Sequence, residues 1–136
     1  MRKLLIFVLT TLLPLAACGD GGPTDPTQSA VGTYTLVQVN GALPALLEQF
    51  PEGRVDVVSG TLRLRGDRTY TETVNLQFTP STGVVQTFPA TENGTFTVTG
   101  STVQFQTSDG DTYSGTLSGN TLSYNVDGFS ATYQKQ

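Results

Sequence analysis

Five tyrosines and Glu72 are the chemistry-bearing side chains that share a pattern in this 136-residue chain, which has no His, no Trp, one Cys and one Met. Tyr34, Tyr70, Tyr113, Tyr124 and Tyr133 each lie in a segment that alternates apolar with polar residues. If the Phe and Val positions set the inward phase of these segments, all five rings fall on one inner face. Glu72 keeps step with Tyr70, Val74, Leu76 and Phe78, so it points the same way. A buried tyrosine needs a partner for its hydroxyl, and a buried carboxylate is expensive without one. Two interiors satisfy these demands. One is a filled core laced with hydrogen bonds, with Glu72 at a wet mouth. The other is a small pocket in which Glu72 and the hydroxyls of Tyr34, Tyr70, Tyr113, Tyr124 and Tyr133 orient a ligand.

The residue types that are missing exclude much else. Without His, Ser-His-Asp and Cys-His catalytic sets cannot be assembled, and most zinc and transition-metal sites are out of reach. General acid-base chemistry would rest on Asp, Glu, Tyr or Lys135. The expectation is a protein that is not an enzyme and uses no cofactor and no metal. Asp109-Gly110-Asp111 offers oxygens to calcium but too few of them, and it reads as a hairpin turn. Formal net charge is −4, and it becomes more negative if Arg2 and Lys3 are removed by processing. Arg54, Arg63, Arg65 and Arg68 read as a solvated outer face that discourages edge pairing. This balance gives no footprint for nucleic acid. A lone cysteine leaves no disulfide within the chain, so packing and strand pairing must carry the fold.

That cysteine is Cys18, and its setting is specific. Met1-Arg2-Lys3 is basic, Leu4 to Leu13 is apolar, and Leu15-Ala16-Ala17 leads directly into Cys18. The apolar stretch is too short to span a ~30 Å hydrocarbon core comfortably. The segment resembles the signal peptide and lipobox of bacterial lipoproteins. That resemblance implies cleavage after residue 17, lipidation of Cys18, and a cell-envelope protein held to the membrane by its N-terminal lipid. Two or more acyl chains make a stable anchor where one does not. Gly19 rather than Asp follows the cysteine, which by the same resemblance favours the outer membrane. Gly19 to Ser29 contains no large apolar side chain and reads as a flexible tether. The expected organisation is signal peptide at 1–17, lipidated tether at 18–30 and one domain at 31–136.

Period-two alternation between turn residues dominates that domain. Strands are expected at Val31 to Val39, Val55 to Leu64, Thr69 to Phe78, Val84 to Phe88, Thr95 to Thr99, Thr102 to Gln106, Thr112 to Leu117, Thr121 to Val126 and Phe129 to Tyr133. The short glycine-bearing links Gly100-Ser101, Asp109-Gly110, Gly119-Asn120 and Asp127-Gly128 favour hairpins between neighbours. One segment breaks the pattern. Leu43, Leu46, Leu47 and Phe50 stand at helical spacing between Gly41 and Pro51, predicting a short helix that plugs one end of the core. A meander of this length removes its exposed edges by closing on itself. The expected fold is therefore all-β, a single antiparallel up-and-down barrel of about eight strands with a helical plug after the first strand.

Laid out in this order, Val31-Gly32-Thr33-Tyr34-Thr35-Leu36, Val39-Asn40-Gly41-Ala42-Leu43-Pro44 and Gly60 to Tyr70 resemble the lipocalin-like small barrels of bacterial lipoproteins. In lipocalins the first strand opens with Gly, any residue and Trp. Tyr34 fills the Trp position here, and Lys135 is the candidate for the basic residue that packs over that ring from the last strand. The resemblance implies the barrel and its plug but names no substrate. The functional expectation is a lipid-anchored barrel that binds a small, partly apolar ligand. The alternative is a protein-binding module, an inhibitor or envelope-assembly accessory, whose barrel is filled and ligand-free.

Overall fold

The computed structural model describes residues 25–136; the expected signal peptide, Cys18 and the first part of the expected tether lie outside them. The described chain comprises α1 (Pro26–Ala30), β1 (Gly32–Val39), β2 (Ala45–Phe50), β3 (Gly53–Leu64), β4 (Thr69–Pro80), β5 (Gln86–Thr99), β6 (Thr102–Thr107), β7 (Thr112–Ser118), β8 (Thr121–Val126) and β9 (Phe129–Lys135). From β2 to β9 each strand pairs antiparallel with the next. Gly100 and Gly119, at φ 60° and 57°, take the left-handed conformation that their tight hairpin turns require.

Two pairings of β1 close the sheet. Gly32 to Thr35 run against Leu64 to Thr61 of β3, and Tyr34 to Val39 run against Lys135 to Ala131 of β9. The result is a closed antiparallel barrel of eight strands, β1 and β3–β9, with β2 as one extra strand outside the ring. This bears out the all-β, up-and-down barrel read from the sequence. Inward positions alternate along the strands of the ring, interrupted by bulges in β1 and β3. Tyr34, Leu62, Leu64, Tyr70, Phe96, Val103, Phe105, Leu122 and Tyr133 are fully buried, while the intervening Thr, Ser and Gln residues face outward.

The short helix lies before the first strand, not after it. Residues 26–30, expected as free tether, form α1 because Asp25 caps the turn, its side chain accepting from the Thr27 N–H at 2.9 Å, with Pro26 at the first helical position. Ala30 is buried beneath it, and its carbonyl accepts a 2.7 Å hydrogen bond from the Tyr34 hydroxyl. Lys135 Nζ donates to the Ser29 carbonyl at 2.9 Å and sits 5.9 Å from the centre of the Tyr34 ring. Together α1, Tyr34 and Lys135 seal the end of the barrel where β1 begins and β9 ends.

The segment expected as a helical plug, Ala42 to Phe50, is instead the turn into β2 and β2 itself. β1 covers only the Thr61 to Leu64 half of β3, leaving the Gly53 to Val57 half with free backbone groups. Those groups need partners, and β2 supplies them, Ala45 opposite Val57 and Phe50 opposite Gly53. Sheet pairing thus overrides the helical spacing. Leu43 and Leu47 pack on the core while Leu46 is 51% exposed, so the four apolar residues are divided between two faces. The segment still covers the barrel's other end, as an edge strand.

A second correction concerns β5. The expected strands at Val84 to Phe88 and Thr95 to Thr99 are largely one continuous strand, Gln86–Thr99, which pairs with β4 along Gln86 to Thr95. Pro89 is tolerated because Gln86 to Asn93 pair with β4 alone, β6 joining only from Gly94. The β4–β5 arm therefore reaches past the closed ring, and it carries Val84, Val85 and Phe88 exposed near its tip.

Candidate functional site

Strand register builds the site. On the inner face of β4, Tyr70 and Glu72 lie opposite Gly94 and Glu92 of β5, so two carboxylates stand directly across one strand pair. From the far wall come Tyr113 of β7, Tyr124 of β8 and Tyr133 of β9. Tyr124 lies opposite both Gly115 and Ala131, small residues that leave room beside it. The Tyr124 and Tyr133 hydroxyls both donate to Oε1 of Glu72. The Tyr70 and Tyr113 hydroxyls donate to Oε1 of Glu92, at 2.6 and 2.8 Å, and lie 3.4 Å from each other. Aromatic contacts hold the rings in place, Phe105 stacking on Tyr113 at 4.9 Å and meeting Tyr70 edge-on at 5.0 Å.

Of the six residues read from the sequence, the structure brings five together: Tyr70, Glu72, Tyr113, Tyr124 and Tyr133. Tyr34 stands apart at the sealed end, fully buried and spent on the Ala30 carbonyl. Glu92 is the residue that sequence reasoning missed. Its segment fell between two expected strands, yet counting back by twos from Phe96 through Gly94 places it inward. Gly94 itself is required there, since a Cβ would come within 2.0 Å of the Gln106 carbonyl oxygen and 2.8 Å of the Tyr70 ring.

The cluster lies at the base of an open barrel end. A cavity of about 300 Å³ reaches Glu72, Tyr124 and Tyr133 between walls that include Leu36, Val74 and Phe129. Leu47 of β2 also lines it, so the strand that replaced the expected plug helps shape the entrance. A more polar cavity of about 590 Å³ opens onto Glu92 and Tyr113 past Asp111 and Asp127, and a third of about 290 Å³ touches both glutamates. The interior is thus neither filled nor uniformly apolar. It has greasy walls and an acidic floor.

Burial pushes the Glu72 carboxyl above the ordinary glutamate range, and the negative charge of Glu92 adds to this; the hydrogen bonds from Tyr124 and Tyr133 act in the opposite direction. Burial likewise raises Tyr70, Tyr113, Tyr124 and Tyr133, so these phenols stay protonated and act as donors. Asp109-Gly110-Asp111 forms the β6–β7 turn, with Thr107 N–H donating to the Asp111 carbonyl at 2.8 Å. Among the described residues no group of three or more His, Cys, Asp or Glu side chains is arranged to hold a metal ion. Comparison with protein-family models, curated proteins and solved structures found no match to this chain.

Proposed function

We propose that this protein is a lipid-anchored, lipocalin-like barrel of the bacterial cell envelope that binds a small, partly apolar ligand at its open end and catalyses no reaction. The observation that carries the binding reading is the cavity of about 300 Å³ with apolar walls and Glu72 at its base. Ligand sites are typically of this form, ~300–1,000 Å³ and mostly apolar, with a few placed polar groups. The lipocalin-like reading is supported by Lys135 over the Tyr34 ring. The anchor reading rests on Leu15-Ala16-Ala17-Cys18 and the tether composition, with Gly19 favouring the outer membrane.

Native mass spectrometry of the protein extracted from its own host tests the binder. A retained small molecule, lost on partial unfolding, is expected; an apo barrel carrying a bound protein would overturn it. Cys18→Ser tests the anchor, because the thiol is the atom lipidated. The variant is expected to be uncleaved or mislocalised and no longer to partition into detergent with the membrane fraction, and unchanged membrane association would remove the lipoprotein reading.

One observation favours the alternative, a protein-binding module. Val84 is 80% exposed at the tip of the β4–β5 arm, with Val85 and Phe88 nearby, and among the described residues no strand pairs with the outer edge of β5 from Gln86 to Glu92. Exposed apolar residues beside a free strand edge suit a protein partner that adds a strand.

A further inference from the structure

We infer that the ligand of the cavity of about 300 Å³ is a cation with an apolar body, a protonated organic amine whose ammonium sits against Glu72, with Glu92 opposite it across the β4–β5 pair. This rests on the reading of the barrel as a small-molecule binder and adds the chemical class. Three features of the interior point to it.

The first is a charge imbalance. Glu72 and Glu92 face each other across β4 and β5, and like charges placed directly opposite one another are destabilising. Among the described residues no Lys or Arg lines any of the three cavities that reach them. The charged or titratable groups facing Glu72 are Glu92 on β5, Tyr70 on its own strand, Tyr113 on β7, Tyr124 on β8, Tyr133 on β9 and Asp127 in the β8–β9 turn. All are acids. An anionic ligand would add a further negative charge, and a neutral one would deepen the desolvation of Glu72, which is only 9% exposed. A cation relieves both costs.

The second feature is unused acceptor capacity. All four tyrosine donors end on Oε1 atoms, two on each glutamate. Neither Oε2 accepts a hydrogen bond, and no fully buried side-chain oxygen lacks a partner among the described residues. Both Oε2 atoms are therefore not fully buried and keep acceptor capacity free for a ligand. The third feature is the wall. Tyr124 and Tyr133 line the cavity beside Glu72, and aromatic rings attract an ammonium held close to them. Leu36, Val57, Val74 and Phe129 complete a surface that suits hydrocarbon rather than a hydrated metal ion, which would need six or more oxygens. At about 300 Å³, the space is roughly twice the ~150 Å³ cavity that accepts benzene, which fits a two-ring body. Asp127 lines the same cavity and Asp111 the polar one that Asp127 also lines, and both carry the sign that draws a cation inward.

The test compares three probes of one shape on the full chain: 1-naphthylmethylamine, 1-naphthalenemethanol and 1-naphthoate, by titration calorimetry at pH 7.5. The ammonium is expected to bind at least about tenfold more tightly than the alcohol, with the carboxylate weakest. Glu72→Gln and Glu92→Gln should each erase most of that preference while leaving the alcohol's affinity unchanged, with thermal melting as the check on folding. In the unaltered protein the preference should shrink at pH 5, as protons compete for the Glu72 carboxylate that burial has raised, so the outcome does not depend on the variants folding. Alcohol or carboxylate binding as tightly as the ammonium would overturn the cationic class and leave the binder reading standing. An ammonium preference that persists in both folded variants would overturn the assignment to these glutamates. Failure of all three probes to bind would remove the binder reading itself.

Discussion

Removing one oxygen, in Tyr133→Phe, isolates the energetics of the acidic floor. The ring stays in place, stacked on Tyr124 with centroids 5.9 Å apart, and only the donor to Glu72 is lost. A hydrogen bond to a charged group contributes about 1.5–3 kcal/mol, a neutral one about 0.5–1.5 kcal/mol. The loss should therefore follow the ionisation of Glu72. Burial raises that carboxyl, so its share of stability is fully present below the unfolded-state pKa and is lost as pH rises through the folded-state pKa. Deleting the Tyr133 donor raises the folded value further and steepens that loss. The assay is a double-mutant cycle of Tyr133→Phe and Glu72→Gln, by thermal unfolding at pH 5 and pH 8.5. The cycle at each pH cancels the titration of all other groups. The coupling is expected to be about 1.5–3 kcal/mol at pH 8.5 and below about 1.5 kcal/mol at pH 5. At about 4 °C per kcal/mol for a domain of this size, Tyr133→Phe should lower Tm by roughly 6–12 °C at the higher pH. Equal coupling at both values, or none at pH 8.5, would show that Glu72 does not rely on this hydroxyl in its charged form.

Two further substitutions probe the frame around the cluster. Gly94→Ala should cost about 1–3 kcal/mol or more by overpacking, because the new methyl meets the Gln106 carbonyl at 2.0 Å; an unchanged urea midpoint would refute that close approach. Tyr34→Phe should cost about 1 kcal/mol by leaving the Ala30 carbonyl unpaired and should speed proteolysis around α1 without loosening β3–β9, whereas unaltered cleavage would mean that α1 is held by other contacts.

The barrel was legible because its signals are local and repeated. Alternation in Thr95 to Thr99 or Thr121 to Val126 fixes which face is buried, and turns such as Gly119-Asn120 fix which strands meet. The tyrosines of the site followed from the same phase. What escaped depended on distant partners. Leu43, Leu46, Leu47 and Phe50 have helical spacing, and only the open half of β3 makes them a strand edge. Pro89 looks like a break between two strands until the absence of β6 beside it is known. Glu92 was hidden by that false break. α1 was hidden for the opposite reason, since Asp25-Pro26 is a sound start signal placed in a run of small polar residues that otherwise reads as linker.

The closing seam has a consequence for how the chain reaches this shape. Every pairing from β2 to β9 joins neighbours in sequence, so those hairpins can zip up in order with little loop entropy lost at each step. The β1–β9 contact is different, since it brings Tyr34 against Lys135 from opposite ends of the domain. Until the last strand is available, β1 is held only by its short match to β3, and the edge of β8 stays open. A chain emerging from a ribosome or a membrane channel passes through that unsealed stage last of all. The vulnerable moment for aggregation or chaperone capture is thus the wait for the seven residues of β9, Phe129–Lys135.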